Sequence, residues 1–149
     1  MEIAVIGAGS MGMAFVRCWL SKEILVKENI YLIESSEQRI KDVKSEISLQ
    51  IENQLSAISD CQFVFLAVKP QDFETVAKEL ANHLKPDQVI VSIMAGVKIS
   101  KISKLLNSHT AIIRVMPNLP ILVAAGISAY YAASSIDHVI INIFEQILS

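Results

Sequence analysis

Short apolar runs alternate along this chain with longer segments in which apolar residues recur at helical spacing. Three runs have no polar alternation, which is typical of parallel strands covered by helices on both faces: residues 3–6, 63–68 and 89–91. Four further runs also predict strands, the second of them a short edge strand with alternating polarity: residues 30–33, 46–51, 111–115 and 127–131. The predicted strands are therefore spread along the whole chain.

Helical stripes fill the segments between these strands. The first is formed by Met11, Ala14, Phe15, Cys18 and Trp19. The second follows a predicted cap, Asp72, and is formed by Phe73, Val76, Ala77, Leu80 and Leu84. A shorter stripe contains Ile99, Ile102 and Leu106, and the last one follows a predicted cap at Ser135 and contains Ile136, Val139, Ile140, Ile143 and Ile147. Strands that alternate with helices predict a doubly wound, mainly parallel α/β sheet with helices on both faces.

Length and composition narrow the class of protein. A chain of 149 residues predicts one domain, 1–149, and the last stripe has no stop signal, so we expect a chain cut before a second domain. The net charge of −2 argues against nucleic acid as a partner, and two cysteines without ligand spacing argue against a metal site. The longest apolar stretch, residues 121–133, is too short to span a membrane, and no basic segment precedes the apolar N-terminus. We therefore expect a cytoplasmic protein.

A glycine-rich turn follows the first predicted strand and precedes the first helical stripe. Its residues match G-x-G-x-x-G and are Gly7, Ala8, Gly9, Ser10, Met11 and Gly12. In this context Gly7 permits the tight turn, Gly9 allows the backbone to approach a pyrophosphate, and Gly12 allows close packing of helix and strand. The motif predicts a Rossmann-type dinucleotide site.

An acidic residue, Glu34, ends the second predicted strand, 22 positions beyond Gly12. A carboxylate there can accept hydrogen bonds from the adenosine ribose and would repel a 2′-phosphate, which favours NAD over NADP. NADP stays open because Ser35, Ser36 and Arg39 follow directly and could hold that phosphate.

Three further segments follow predicted strands and are expected at the same edge of the sheet, where ligands of open α/β sheets bind. They are residues 67–70, 92–97 and 114–120. Together with the glycine turn and Ala125-Gly126, this ordered set resembles pyrroline-5-carboxylate reductase. The resemblance covers essentially the whole chain but only the cofactor-binding half of that family's chains.

The resemblance implies a role for each matched residue. It assigns the cofactor to Ile6, Gly7, Ala8, Gly9, Ser10 and Met11, to Asn53, to Ala67, Val68, Lys69 and Pro70, and to Ile93, Met94 and Ala95. The glycine motif adds Gly12, and the end of the second strand adds Glu34 and Ser35. It places the pyrroline ring against Met116, Pro117 and Asn118, and we expect Lys69 and Asn118 to take part in catalysis. The implied reaction is hydride transfer from NAD(P)H to 1-pyrroline-5-carboxylate, which gives L-proline. A helical C-terminal domain in that family forms a homo-oligomer and completes the substrate pocket.

Two other functions remain open. Another reductase with a similar half-domain, such as an F420-dependent NADP oxidoreductase or a β-hydroxyacid dehydrogenase, is disfavoured by the turn at residues 116–120, since we expect that likeness to fade after the glycine turn. A non-catalytic dinucleotide-binding module is kept open by Leu119, which stands where the reductases usually have Thr.

Overall fold

A computed structural model describes residues 1–117 and 128–148. The elements, in chain order, are β1 (Ile3–Ile6), α1 (Ser10–Ser21), β2 (Ile30–Ile33), α2 (Glu37–Glu46), β3 (Gln50–Glu52), β4 (Phe63–Leu66), α3 (Phe73–Leu80), β5 (Val89–Ser92), α4 (Ile99–Leu105), β6 (Ile112–Pro117), β7 (Ser128–Ala132) and α5 (His138–Leu148). Two short 3₁₀ helices, Lys27–Asn29 and Leu55–Asp60, complete the described part of the chain. No helix among these residues is long and apolar enough to cross a membrane.

The strands form one sheet in the order β3-β2-β1-β4-β5-β6-β7. All neighbouring pairs are parallel except β6 and β7, which are antiparallel. The chain adds strands on one side of β1 and then returns to add β4 on the other side. This order confirms the predicted doubly wound sheet, and it creates a switch point between β1 and β4 at their carboxyl ends.

Two apolar layers cover the sheet, as the unbroken strand runs predict. Strands β1, β4 and β5 are buried along their entire length. One layer contains buried residues of α1, α2 and α5, including Trp19, Val43 and Phe144. The other contains buried residues of α3 and α4, including Phe73 and Ile102. The central strands therefore lie between helices on both faces.

The prediction of a strand at residues 46–51 is wrong at its start, because Glu46 ends a helix that the pattern did not reveal. Helix α2 buries only Val43, so it lacks the apolar stripe on which the prediction depended. Its start is instead fixed by Ser36, whose hydroxyl accepts a hydrogen bond from the Arg39 N–H at 3.3 Å. The edge strand β3 follows at Gln50–Glu52.

The two predicted caps are also wrong in their chemistry. Asp72 occupies the position before α3, but its side chain makes no capping hydrogen bond. The Ser135 hydroxyl donates to the Thr110 carbonyl at 3.0 Å, whereas Asp137 Oδ1 accepts from the Val139 N–H at 2.7 Å near the start of α5. Several predicted bounds also shift by a few residues, so that β4 ends at Leu66 and α3 at Leu80.

Helix α5 is attached to the body of the domain through Trp19 of α1. The indole N–H, fully buried, donates to the Ile147 carbonyl at 2.8 Å. The Trp19 ring also packs edge-on against Phe65 of β4, with centroids 4.9 Å apart. One side chain thus connects α1, the central sheet and α5.

We predict that Trp19→Phe lowers the free energy of unfolding by about 1–3 kcal/mol, because it leaves the buried Ile147 carbonyl without its donor. Urea denaturation followed by circular dichroism measures the change. Val139→Ala is the control on the exposed side of α5, where we expect a change within about 0.5 kcal/mol. Equal unfolding midpoints for Trp19→Phe and the parent would contradict the prediction.

Candidate functional site

The glycine turn brings three backbone segments into direct contact at the end of β1. Gly7 has a φ of +106°, and a Cβ there would lie 2.8 Å from the Ala67 carbonyl oxygen. A Cβ on Gly12 would overlap the Gly7 carbonyl oxygen and lie 3.0 Å from the Ala67 Cβ. Two positions therefore need glycine for the fold itself, one for the turn and one for close packing of α1.

Gly9 is different, since a Cβ there would meet no atom within 4 Å. Its φ of −69° and ψ of 177° suit any residue, and it directly precedes α1. The fold therefore gives no reason for glycine at this position. The open space lies in front of the free N–H groups of a 12-residue helix, where an anionic group such as a pyrophosphate is stabilised.

The turn is tied to the strands on both sides of it. The Gly7 N–H donates to the Ile33 carbonyl of β2 at 2.9 Å, and the Ala67 N–H donates to the Ile6 carbonyl at 2.9 Å. The Glu34 side chain adds two hydrogen bonds. Its Oε2 accepts one from the Ala8 N–H at 2.9 Å, and its Oε1 accepts one from the Ser36 N–H at 2.9 Å. Arg39 adds a further side-chain hydrogen bond, in which its Nε–H donates to the Ala8 carbonyl at 2.6 Å.

A cavity of about 630 Å³ opens at the switch point between β1 and β4. It brings together many of the residues that the sequence nominates for the cofactor: Ile6, Gly7, Gly9, Glu34, Ser35, Asn53, Ala67, Val68 and Lys69. Ser36, Ile33 and Leu55 also line it. The cavity therefore runs from the end of β4, past the glycine turn, to the end of β2.

Helix α3 forms a wall of this cavity that the sequence analysis missed. Asp72, Thr75, Val76 and Glu79 line it. The helical stripe assigned this segment to the core, and Phe73, Ala77 and Leu80 are indeed buried there. The available signal was position, because α3 follows the predicted strand-end segment directly and therefore starts at the same edge of the sheet.

Other nominated residues do not line the cavity. The Ala8 side chain is fully buried under the turn, Gly12 is buried, and Ser10 and Met11 form the start of α1. Pro70 is exposed beyond β4, whereas Ile93, Met94 and Ala95 follow β5. Met94 is buried in the core layer under α3 and α4. The structure places Met116, 64% exposed, and Pro117 at the end of β6, and Asn118 lies outside the described residues.

Neither a reactive thiol at Cys61 nor a metal site is found in the described part of the chain. Burial raises the pKa of the Cys61 thiol to about 12, so it is protonated and unreactive near neutral pH. No group of three His, Cys, Asp or Glu residues that could hold a metal ion occurs among residues 1–117 and 128–148.

The sheet order, the glycine turn and the cavity at the switch point define a Rossmann-type dinucleotide-binding domain. The sequence model of the family described as "NADP oxidoreductase coenzyme F420-dependent" matches residues 2–96. The chain belongs to this family. The expectation that such a likeness fades after the glycine turn is wrong, since the match extends past the end of β5.

Curated relatives and solved structures extend the likeness beyond residue 96. The chain is 34% identical over 130 residues to a pyrroline-5-carboxylate reductase of Aquifex aeolicus, covering 87% of this chain and 47% of the relative. It is 33% identical over 137 residues to one of Pseudomonas aeruginosa, covering 91% and 50%. A reductase structure from Coxiella burnetii superimposes with a TM-score of 0.87 at 26% identity, over 99% of this chain and 55% of that one. The predicted resemblance is confirmed, and the chain spans about half the length of the curated relatives it matches.

A glycine series separates the needs of the fold from those of a ligand. We predict that Gly9→Val lowers the free energy of unfolding by no more than about 1 kcal/mol, a usual cost at a helix N-cap, but abolishes measurable NADH binding, because the side chain fills the space in front of α1. Gly7→Ala and Gly12→Ala should each destabilise the fold by at least about 1 kcal/mol, because a Cβ meets backbone at both positions. Thermal unfolding and titration calorimetry measure the two effects. Unchanged NADH affinity in Gly9→Val would remove the turn from the site.

Proposed function

We propose that this chain is the dinucleotide-binding half of a pyrroline-5-carboxylate reductase. The observation that carries the proposal is the length of the similarity, since the relatives of that name align with 85–99% of the chain and not only with its glycine turn. The proposed reaction reduces the C=N bond of 1-pyrroline-5-carboxylate to the C–N bond of L-proline. The carbon receives a hydride, the nitrogen receives a proton, and NAD(P)H is oxidised to NAD(P)⁺.

The extent of the cavity supports this proposal, because its lining runs from the end of β4, past the glycine turn, to the end of β2. In the proposed arrangement the N–H groups at the start of α1 bind the pyrophosphate, and Glu34, Ser35 and Asn53 surround the adenosine ribose. Ala67, Val68, Lys69 and Pro70 border the nicotinamide half, with Ile93, Met94 and Ala95 beside them at the end of β5. When bound, the reduced nicotinamide supplies the hydride.

The substrate would lie at the end of β6 in this arrangement. Met116 and Pro117 end that strand, and we propose that they frame the pyrroline ring together with Asn118. Lys69 at the end of β4 would orient the reacting groups. A protonated imine is already electrophilic, so the protein needs mainly to position it against the nicotinamide and exclude water. A homo-oligomer formed through the second half of the relatives' chains rests on the resemblance, and the cytoplasmic location expected from the sequence completes the proposal.

We also propose that NAD is favoured over NADP, because the Glu34 carboxylate lines the cavity at the ribose end. A pyrroline carboxylate reductase structure from Plasmodium falciparum has NADP bound, so that protein accepts the 2′-phosphate. In this chain, a 2′-phosphate beside Glu34 would meet a like charge that is already hydrogen-bonded in place by Ala8 and Ser36.

We predict that Glu34→Gln shifts the ratio of NADPH to NADH affinity towards NADPH by about tenfold, or about 1.4 kcal/mol, because it removes the charge and keeps an acceptor for the Ala8 N–H. Fluorescence titration with both cofactors measures the ratio. Glu37→Gln, at an exposed position in the first turn of α2, controls for the loss of a negative charge nearby. A parent that already prefers NADPH, with no shift in Glu34→Gln, would contradict the assignment of NAD.

We predict that the 149-residue chain binds NADH but reduces 1-pyrroline-5-carboxylate at a rate at least about 10³-fold below that of a full-length relative such as the Pseudomonas aeruginosa reductase. The reason is that fixed substrate geometry can account for roughly 7–11 kcal/mol of a barrier, and the other half of the relatives' chains is needed to provide it. Steady-state loss of NADH absorbance measures the rate. Comparable turnover would show that these residues hold a complete active site.

A further inference from the structure

Ala8 is held at both of its peptide groups by side chains from a distant part of the sequence, and the peptide between Ala8 and Gly9 is held by Arg39. The Ala8 N–H donates to Glu34 Oε2 at 2.9 Å, and the Ala8 carbonyl accepts from Arg39 Nε at 2.6 Å. Glu34 lies in the turn between β2 and α2 and lines the candidate cavity, whereas Arg39 lies in the first turn of α2. A charged donor at 2.6 Å makes the Arg39 bond a strong one.

The backbone of Arg39 is fixed at the start of α2. Its backbone N–H donates to the Ser36 hydroxyl that caps α2, and the residue is half-buried. Among the described residues Arg39 forms no ion pair; its Nε–H donates to the neutral Ala8 carbonyl, and its charge contributes, after Arg17, to holding the pKa of Glu46 below its usual range. The bond to Ala8 joins positions 31 residues apart in the sequence.

This bond sets the direction of a neighbouring donor. In a trans peptide the C=O and N–H bonds point in opposite directions, so holding the Ala8 carbonyl also fixes the Gly9 N–H. Gly9 tolerates almost any φ, which means that without a restraint this peptide could rotate. A rotated peptide would turn a carbonyl oxygen, instead of an N–H group, towards an anion in front of α1.

We propose that Arg39 is a positioning residue for the cofactor pyrophosphate. By holding the Ala8 carbonyl it keeps the Gly9 N–H directed into the open space before α1. The same bond connects the first turn of α2 to the glycine turn. This inference rests on the proposed dinucleotide site. It differs from a direct contact between Arg39 and a 2′-phosphate, because positioning affects every ligand that carries a pyrophosphate, including those without a 2′-phosphate.

The test compares Arg39→Met with the parent chain for four ligands: adenosine, ADP, NADH and NADPH. Met has a similar length but no charge and no N–H. We expect the affinities for ADP and NADH to fall about tenfold, as the loss of one charge-assisted hydrogen bond implies, whereas adenosine affinity stays within about twofold because adenosine lacks the pyrophosphate. Calorimetry measures the three tighter ligands, and ligand-observed NMR measures adenosine.

Two further variants make the result specific. Arg39→Lys keeps a cation that can reach the Ala8 carbonyl, and we expect it to recover most of the ADP affinity. Lys44→Met removes one positive charge from an exposed position in the last turn of the same helix, α2, and we expect it to leave ADP affinity unchanged. Thermal unfolding of each variant shows whether the fold is retained.

The other outcomes overturn the inference in distinguishable ways. A loss confined to NADPH would show that Arg39 contacts a 2′-phosphate and that its bond to Ala8 is dispensable. Equal losses for adenosine and ADP would show that Arg39 only maintains the cavity. A parent chain that binds neither ADP nor NADH would overturn the proposed dinucleotide site itself, whereas normal binding by Arg39→Met would overturn only the role of Arg39.

Discussion

The contact of backbone with backbone at the end of β1 is the constraint on which the site depends. A Cβ on Gly7 would strike the Ala67 carbonyl, and one on Gly12 would overlap the Gly7 carbonyl. Because neither has a side chain, α1 starts directly against the sheet, and its free N–H groups are presented at the switch point between β1 and β4. The same closeness leaves a defined space in front of Gly9. A side chain at Gly7 or Gly12 would push α1 away from the sheet. The N–H groups of α1 would then no longer lie at the switch point, and the space in front of Gly9 would be lost.

In the proposed function, the glycine turn is only half of the anion site, and the other half comes from β2 and the residues that follow it. Strand β2 supplies a backbone acceptor for the Gly7 N–H at Ile33, and the residues after it supply Glu34 and Arg39, which hold the two ends of the Ala8 residue. These contacts join the parts of the cavity that would meet the pyrophosphate and the ribose. In the proposed function, cofactor affinity and the choice between NAD and NADP therefore depend on the same set of contacts.

Several parts of the site could be predicted because they follow buried strands in the sequence. Glu34, Asn53 and Lys69 were nominated on that basis or from the resemblance, and all three line the cavity. The wall of α3 was not predicted, because a stripe that packs on the sheet says nothing about the neighbouring helical face, to which Thr75 and Glu79 belong; Val76 was predicted only as a core residue. Helix α2 was missed for a related reason: it buries only Val43, so its position is fixed by a cap and not by an apolar face.

The sequence by itself determined the order of the strands and of every α-helix except α2, the double covering of the central strands and the location of the glycine turn. These follow from local periodicity and from the backbone freedom of glycine, both of which are properties of neighbouring residues. Only the tertiary structure decided that Gly7 and Gly12 lie against Ala67 at the end of β4, and that Arg39 reaches back to Ala8. Those facts depend on distances between segments some 30 residues apart or more, and no local pattern encodes such distances.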